Sequence, residues 1–363
     1  GIKQTKATSI AEARFLRAFY YYRLFINFGE RLPMFEHELE GTEEEFYPPQ
    51  VEAGRLKTFI ETELSECQAN LPEKWNTNMA GRVTKYTAAA LLGKYYMFIG
   101  EKAKAKTEFW KVIDSHRYEL MENYGDILEV QFTGSLEGGH YEYNLFTLHL
   151  GPDSGCGAYE EAYPSKWLFN TLKKDLTEDG EYSDRLYETI IFDDPKSRPF
   201  YYEDGKGFSD YHQEDNIYWR KYVTYDKSLG DYWDYSGFNI PLIRYADILL
   251  LYAECLNDEG NSKEAIKYIN KVRDRVHVTP LSDTLSKEQV LKHLQDVERP
   301  CELALEGSRW YDLIRWGIVE DALKSHEKPF ASNFISTKHI RLAIPHKEFL
   351  MNPDWVQNEG YTK

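Results

Sequence analysis

Two consecutive helical patterns over residues 84–116 constrain the fold more than any other feature of this chain. The first apolar stripe recurs at helical spacing and comprises Ala88, Leu92, Tyr95 and Ile99. Gly100 interrupts it, and a second stripe follows at once with Ala105, Phe109, Val112 and His116. Because each stripe needs a partner to be buried, the pattern predicts helices at about 84–99 and about 102–116, folded back on each other with small alanines at the close crossing.

The same design returns in the C-terminal part of the chain. A predicted helix at about 241–257 places Leu242, Ala246, Leu249 and Ala253 in register. The turn residues of 257–262 break it, and a second helix at about 263–276 aligns Ile266, Ile269, Val272 and Val276. Two similar hairpins far apart in sequence indicate stacked repeats. Segments 287–299 and 301–317 predict one more pair, with Pro300 between them.

The N-terminal segment 8–28 predicts a further helix. Ser9 is a suitable N-cap, with Glu12 as its capping-box partner, and Gly29 ends the segment. One stripe consists of Ile10, Ala13, Leu16, Tyr20 and Leu24. Because the other faces are apolar too, and carry the aromatic run Phe19–Tyr22, the pattern predicts a helix buried in the core. Another helix is expected at about 52–70, ending before Pro72.

Residues 120–238 have a different character, with glycine-rich and Asp–Pro punctuation that predicts long loops. The stretch 141–150 alternates well enough to predict one short strand. The sequence therefore predicts an all-α fold, a tetratricopeptide-like helical-hairpin scaffold with a long loop-rich insertion that carries a few short strands. The predicted segments are 1–119, 120–238 and 239–363, best treated as one structural unit. Long loops in a compact helical protein are usually functional.

Net charge and sequence motifs reduce the number of functional classes to which this chain can belong. The formal net charge is −16, which disfavours nucleic acid and is compatible with a neutral or cationic ligand. No apolar run approaches the roughly 18 residues of a membrane span. The four cysteines do not form a disulfide framework, and Cys255 is expected to be a buried small hydrophobe. No HExxH or GxSxG motif occurs, so neither a metal site, a cofactor nor a catalytic centre is expected.

The sequence ELALEGSRWYDLIR at 302–315 holds a cluster that resembles a catalytic constellation. Its charged members are Glu302, Glu306, Arg309, Asp312 and Arg315. Spacings of three and four predict ion pairs along one helix, and this structural interpretation is preferred. Acid pairs such as Asp193–Asp194 are expected by chance in so acidic a chain, although a carbohydrate-active enzyme stays open as an alternative.

Aromatic residues give the best candidates for a ligand site. Seventeen of the 28 Tyr and 8 Trp lie in residues 141–238, mostly beside polar residues and glycines. Rings pack on the C–H faces of sugars while polar side chains bond the hydroxyls. The candidate ligand-binding residues are Tyr159, Tyr163, Tyr202, Trp233 and Tyr235. The alternative is that these rings pack the loops onto the helices. Trp219 and Tyr222, in a strand-like run, are expected to be structural.

Five sequence blocks resemble the SusD/RagB family in that family's order. They are EARFLRAFYYYRLFINFGERLPMF at 12–35, GRVTKYTAAALLGKYYMFIGE at 81–101, IPLIRYADILLLYAECLND at 240–258, ELALEGSRWYDLIRWG at 302–317 and IPHKEFLMNPDWVQNEGY at 344–361. Pro300–Cys301 departs from the charged pair usual before the fourth block. The family also has a secretion signal, a lipid-modified cysteine and about a hundred residues before the first block. We therefore expect the natural N-terminus to lie upstream of Gly1.

The resemblance implies a non-catalytic protein on the outer face of the outer membrane. Such a protein is held by a lipid anchor and captures an oligosaccharide, or a peptide in RagB-like members, for a SusC-like TonB-dependent transporter. A tetratricopeptide adaptor that binds a protein partner is the other alternative, and the long insertion argues against it. On the first hypothesis, Trp233→Ala is expected to weaken glycan binding without unfolding the protein.

Overall fold

A computed structural model describes residues 2–41, 46–120, 126–132, 143–153, 157–197, 205–223 and 236–363. This part of the chain is mostly helical with a few short strands, as predicted. Contacts divide the chain into two compact units, residues 1–115 with 310–363 (unit 1) and residues 116–309 (unit 2). The predicted boundary near residue 119 lies close to the first division, and the helices of 239–309 group with the predicted insertion.

The helices, numbered within the described residues, are α1 (Ile2–Phe28), α2 (Arg55–Asn70), α3 (Lys85–Phe98), α4 (Lys102–Asp114), α5 (Phe146–Leu150), α6 (Lys166–Lys174), α7 (Asp184–Thr189), α8 (Phe208–Tyr211), α9 (Tyr245–Asp258), α10 (Ser262–Arg275), α11 (Lys287–His293), α12 (Arg299–Glu302), α13 (Arg309–Trp316), α14 (Val319–Ser325), α15 (Ser336–His339) and α16 (His346–Met351). The strands are β1 (Asp126–Val130), β2 (Ile190–Ile191), β3 (Tyr218–Trp219) and β4 (Ile240–Arg244). In the described residues, no helix is both long enough and apolar enough for a membrane span.

The predicted hairpin of α3 and α4 is confirmed. Thr84 caps α3, since its hydroxyl accepts from the Thr87 N–H while the Thr87 hydroxyl accepts from the Thr84 N–H. Gly100 has a φ of +82°, which suits the turn between the helices. The two helices also approach closely at Gly93, because a Cβ there would lie 2.4 Å from Cε1 of Phe109. Helices α1 to α4 pack consecutively in unit 1.

Helix α1 departs from the prediction in both its start and its buried face. It begins at Ile2, so Ser9 lies inside the helix and caps nothing, and Glu12 instead pairs with Arg82. The apolar residues of the predicted stripe are largely exposed, namely Ile10, Leu16, Tyr20 and Leu24. The buried face is the neighbouring one, and its members are Ala11, Phe15, Ala18, Tyr22 and Phe25. The prediction of burial all round is therefore wrong for this helix.

The predicted helix at 241–257 begins four residues later than expected. Residues 240–244 form β4, which pairs antiparallel with β1, and Leu242 lies partly exposed in that strand. Helix α9 follows from Tyr245 and packs against α10 as a hairpin, as predicted. Cys255 is buried within α9, also as predicted. Because the two predicted hairpins fall in different units, their stacking stays a prediction.

Pro300 does not separate two helices. A π-helical turn at Leu294–Glu298 follows α11 and leads directly into α12, which holds Pro300 in its first turn. Proline lacks the N–H that a continuous α-helix would use at this position, and the π-helical turn directly before it accommodates that loss, so the helix continues through Pro300. The break comes instead at residues 303–308, where Leu305 and Gly307 have positive φ angles.

The prediction of a strand at 141–150 is also wrong where the structure describes it. Residues 146–150 form the short helix α5, and Asn144 makes an isolated bridge with Ser236. The strands of unit 2 lie elsewhere: β2 pairs antiparallel with β3. Trp219 and Tyr222 are buried, in agreement with the structural role expected of them.

A buried network of ion pairs replaces the predicted pairing along one helix. Glu302 accepts from Arg244 at 2.9 Å and from Arg275 at 2.7 Å, both far away in sequence. Glu298 is fully buried and accepts from Arg185 at 2.6 Å and from Arg273 at 2.8 Å. The outer members are Asp175, Lys221, His293 and Glu306. Within the predicted cluster, Arg315 and Asp312 do pair along a single helix.

Candidate ligand groove

Two of the predicted rings lie in residues 157–163 of unit 2, which pair through their backbone with residues 148–149. The Tyr159 N–H donates to the Leu148 carbonyl at 2.8 Å, and the Glu161 N–H donates to the His149 carbonyl at 2.8 Å. Glu160, between them, has a φ of +49°. A left-handed residue turns the chain sharply, and the Glu160 carboxylate reaches back to accept from the Asp153 N–H at 2.7 Å.

The Glu160 carboxylate also orients the ring of Tyr163. The Tyr163 hydroxyl donates to its second oxygen at 2.9 Å. This hydrogen bond raises the pKa of Tyr163 to about 12, so its hydroxyl keeps its proton at neutral pH. The ring itself is 55% exposed. Tyr163 therefore offers an accessible aromatic face held in a defined position.

A series of rings continues from Tyr163 into the unit. The Tyr163 and Tyr218 ring centroids are 5.7 Å apart, those of Tyr218 and His212 are 4.6 Å apart, and those of His212 and Phe208 are 5.0 Å apart. The Tyr218 hydroxyl and His212 Nδ1 share a hydrogen bond of 3.0 Å. Burial lowers the pKa of His212, against the opposing influence of Glu160 and Asp153, so the imidazole is uncharged at neutral pH.

An open groove of about 730 Å³ lies beside these rings, and we call it the ligand groove. Its lining comprises Asp153, Glu160, Ser209, Asp210, Tyr211, His212, Gln213, Asn216 and Tyr218. Carboxylates and amides accept hydrogen bonds from hydroxyl groups, and rings pack on apolar C–H faces. The groove therefore has the chemistry to bind a small ligand rich in hydroxyl groups. In the described part of the chain, no three His, Cys, Asp or Glu side chains converge as metal ligands would.

The five predicted ligand-binding residues divide into two sets. Tyr159 is 59% exposed and its ring meets that of His149 at 5.7 Å, while Tyr163 contacts two lining residues of the groove. Tyr202, Trp233 and Tyr235 lie outside the described residues. A ligand role stays a prediction for all five.

The lining residues of segment 208–218 were not predicted from sequence. Asp210, His212 and Tyr218 belong to FSDYHQEDNIY, which mixes rings with acids and amides in the same way as the chosen segments. This mixture of rings, acids and amides is the sequence signal by which the lining residues could be identified. Their proximity to Glu160 and Tyr163 depends on the fold, because about fifty residues separate the two segments in sequence.

A larger cavity of about 850 Å³ lies in unit 1 between segments 30–53 and 341–359. Its two sides are already bonded to each other: Gln50 exchanges two hydrogen bonds with the Val356 backbone, and the Trp355 indole N–H donates to the Pro48 carbonyl at 3.1 Å. Neither of the two predicted rings that the structure describes contacts this cavity's lining in a described interaction, whereas Tyr163 contacts Glu160 and Tyr218, which line the ligand groove. The ligand groove of unit 2 is therefore the better candidate.

The fold consists of helical hairpins, and irregular segments carry an open groove. These two features define the class of this protein, a helical protein with a surface ligand groove. The chain belongs to the SusD family, whose sequence model matches residues 170–361. A SusD-like protein of Formosa agariphila is 25% identical over 97% of this chain and 73% of its own length.

Solved structures agree with this assignment. A SusD superfamily protein from Bacteroides vulgatus superposes with a TM-score of 0.82 at 23% identity, covering 99% of this chain and 79% of that one. A laminarin-binding SusD-like protein superposes with a TM-score of 0.76 at 26% identity, covering 99% and 80% respectively. The first likeness concerns the fold alone.

Proposed function

We propose that this protein captures an oligosaccharide without catalysis at the outer cell surface and delivers it to a SusC-like TonB-dependent transporter. The observation that carries the binding step is the exposed Tyr163 ring, held by Glu160 beside a groove of carboxylates and amides. The likeness to a laminarin-binding protein at 26% identity supports a glycan as the ligand.

Binding would use the two kinds of group that the groove provides. Tyr163 packs on the C–H face of a sugar ring, while the side chains of Asp210 and Asn216 bond its hydroxyls. Such contacts form and break without any covalent step, as delivery to a transporter requires. The carboxylates of Asp153 and Glu160 already accept hydrogen bonds from the protein, which favours an orienting role over proton transfer.

Attachment to the outer membrane through a lipid anchor, and partnership with the transporter, are supported by family membership.

The test measures oligosaccharide binding by titration calorimetry, with laminari-oligosaccharides as the first ligands. Tyr163→Ala is expected to weaken binding about two- to twelvefold, because one aromatic contact contributes about 0.5–1.5 kcal/mol. Tyr163→Phe keeps the ring and is expected to bind more tightly than Tyr163→Ala. Tyr20→Ala removes another exposed tyrosine, in unit 1, and is the matched control with unchanged affinity. Equal affinity of Tyr163→Ala and the unmodified protein would remove Tyr163 from the site.

The non-catalytic part of the proposal needs a separate measurement. Prolonged incubation of the protein with the same oligosaccharides, followed by chromatography, is expected to return them unchanged. Shorter products would contradict the proposal and favour a carbohydrate-active enzyme. Binding of peptides in place of glycans would favour the RagB-like alternative.

A further inference from the structure

The lining of the ligand groove has an unbalanced charge. It includes the carboxylates of Asp153, Glu160 and Asp210, and its described residues include no Lys or Arg. The uncharged His212 adds no compensating cation at neutral pH. A basic residue does lie nearby: the Lys206 ammonium is 5.4 Å from the Tyr211 ring centroid.

Neutral donors hold these carboxylates in place. Glu160 accepts from the Asp153 N–H and the Tyr163 hydroxyl, and Asp210 accepts from the Gly207 N–H at 2.7 Å. Bonds from uncharged donors fix the direction of a carboxylate without cancelling its charge. The negative charge of the groove is thus a built feature of segments 153–163 and 207–218.

We infer that the ligand groove accepts uncharged glycans and excludes glycans that carry carboxylate or sulfate groups. The inference rests on the proposed glycan-binding function and specifies its substrate class. A sugar hydroxyl donates to a carboxylate and forms a strong hydrogen bond. An anionic substituent in the same position would face like charges at short range, in a chain whose formal net charge is −16.

The test compares two panels of oligosaccharides of equal length with the full chain at low ionic strength. Laminari-, cello-, malto- and xylo-oligosaccharides form the neutral panel, and galacturonate, alginate and sulfated chondroitin oligosaccharides form the anionic panel. At least one neutral ligand is expected to bind, and every anionic ligand is expected to bind at least about tenfold more weakly than it. Added salt is expected to leave neutral binding unchanged and to reduce the difference by screening.

Two Asp→Asn variants test whether the residues of the ligand groove cause the discrimination between the two panels. Asp210→Asn keeps an acceptor oxygen for the Gly207 N–H while removing one charge, and is expected to reduce the discrimination between the panels. Asp215→Asn is the matched control, since Asp215 is exposed, pairs with Lys166 at 3.7 Å and is not in the lining. It changes the net charge equally and is expected to leave the discrimination as it was.

The outcomes separate this inference from the proposed function. An anionic glycan that binds as tightly as the best neutral one, or binding confined to the anionic panel, overturns the inference and leaves glycan capture intact. Equal effects of the two Asp→Asn variants overturn the assignment of discrimination to the groove. Absence of binding by both panels overturns the proposed function, and the inference with it.

Discussion

Adjacent residues of α1 meet entirely different surroundings. Phe15 is fully buried against the helices of unit 1, whereas Leu16 is 50% exposed. Contacts with α2 determine which face of α1 is buried. Glu63 accepts hydrogen bonds from Arg14 and Arg17, and the Cys67 thiol donates to the Ala11 carbonyl. Because both faces of α1 are apolar, periodicity alone does not decide which one packs.

We therefore predict that Phe15→Ala destabilises the protein by about 3–5 kcal/mol, because it removes buried surface and leaves a cavity. Leu16→Ala is the control at the neighbouring position and should cost less than about 1 kcal/mol. Urea unfolding at neutral pH measures both changes. Similar losses for the two variants would mean that α1 is buried on both faces.

At the residue scale, the sequence identified exposed rings better than it identified their neighbours. Tyr159 and Tyr163 could be chosen because rings among glycines and acids favour irregular, accessible segments. Their partners could not be chosen, because the contact of Tyr163 with Tyr218 depends on how two distant segments fold together. The left-handed conformation of Glu160 is equally a product of the folded loop.

At the scale of elements, the α3–α4 hairpin depends on one missing side chain. Gly93 lets Phe109 approach the backbone of α3, and Phe109 is itself fully buried. In an unpacked helix, alanine would be more favourable than glycine by about 1 kcal/mol. Here the contact of 2.4 Å that a Cβ would make reverses that preference.

Gly93→Ala is accordingly predicted to lower the free energy of unfolding by about 1–3 kcal/mol through overpacking. Adding Phe109→Leu should recover part of this loss, because the smaller side chain vacates the site of the clash. Thermal or chemical unfolding of the single and double variants measures the coupling. A more stable Gly93→Ala variant would show that helix propensity outweighs the contact.

The sequence predicts where helices occur. It does not predict where a helix begins or ends when residues far away in sequence pair with that end. The helical period of 241–257 includes Leu242. Residues 240–244 nevertheless form a strand, because they pair with β1, which lies more than a hundred residues away in sequence. Pro300 is a strong local signal for a break, but the π-helical turn before it lets the helix pass. Residues 146–150 of the predicted strand form the helix α5, because alternation over so few residues cannot separate the two states.

For the molecule as a whole, the buried ion pairs of unit 2 matter because they link residues that lie far apart in sequence. Arg185 and Glu298 are 113 residues apart in sequence, and both are buried. Burial alone would raise the pKa of Glu302, but Arg244, Arg275 and Arg185 outweigh it and hold that pKa at about 2. The sequence indicated ion pairing in this block, but only the fold supplies its distant partners.

This network predicts acid sensitivity. Unfolded Glu302 takes up a proton near its ordinary pKa of 4.5, whereas the folded carboxylate keeps its charge down to about pH 2. The unfolded chain therefore binds more protons in this window, and the stability contributed by Glu302 is present above pH 5 and lost as the pH falls toward 2. Denaturant unfolding at pH 7, 5, 4 and 3 measures the decline.

Salt distinguishes the buried network from surface charges in that experiment. The decline should persist at high ionic strength, because buried pairs are poorly screened. Glu264→Gln, which removes an exposed carboxylate paired with Lys267, should leave the pH profile unchanged. A profile that flattens in salt would assign the decline to the surface.

The buried charges of unit 2 also limit how this sequence can change over generations. Loss of Arg185 alone would remove the nearest counter-charge of Glu298 and leave the buried carboxylate only partly compensated by Arg273, which is destabilising. Replacement of both members by apolar residues of similar volume is far less harmful. Substitutions among Arg185, Arg273, Glu298 and Glu302 should therefore become fixed as compensating sets, so that these positions vary together across lineages.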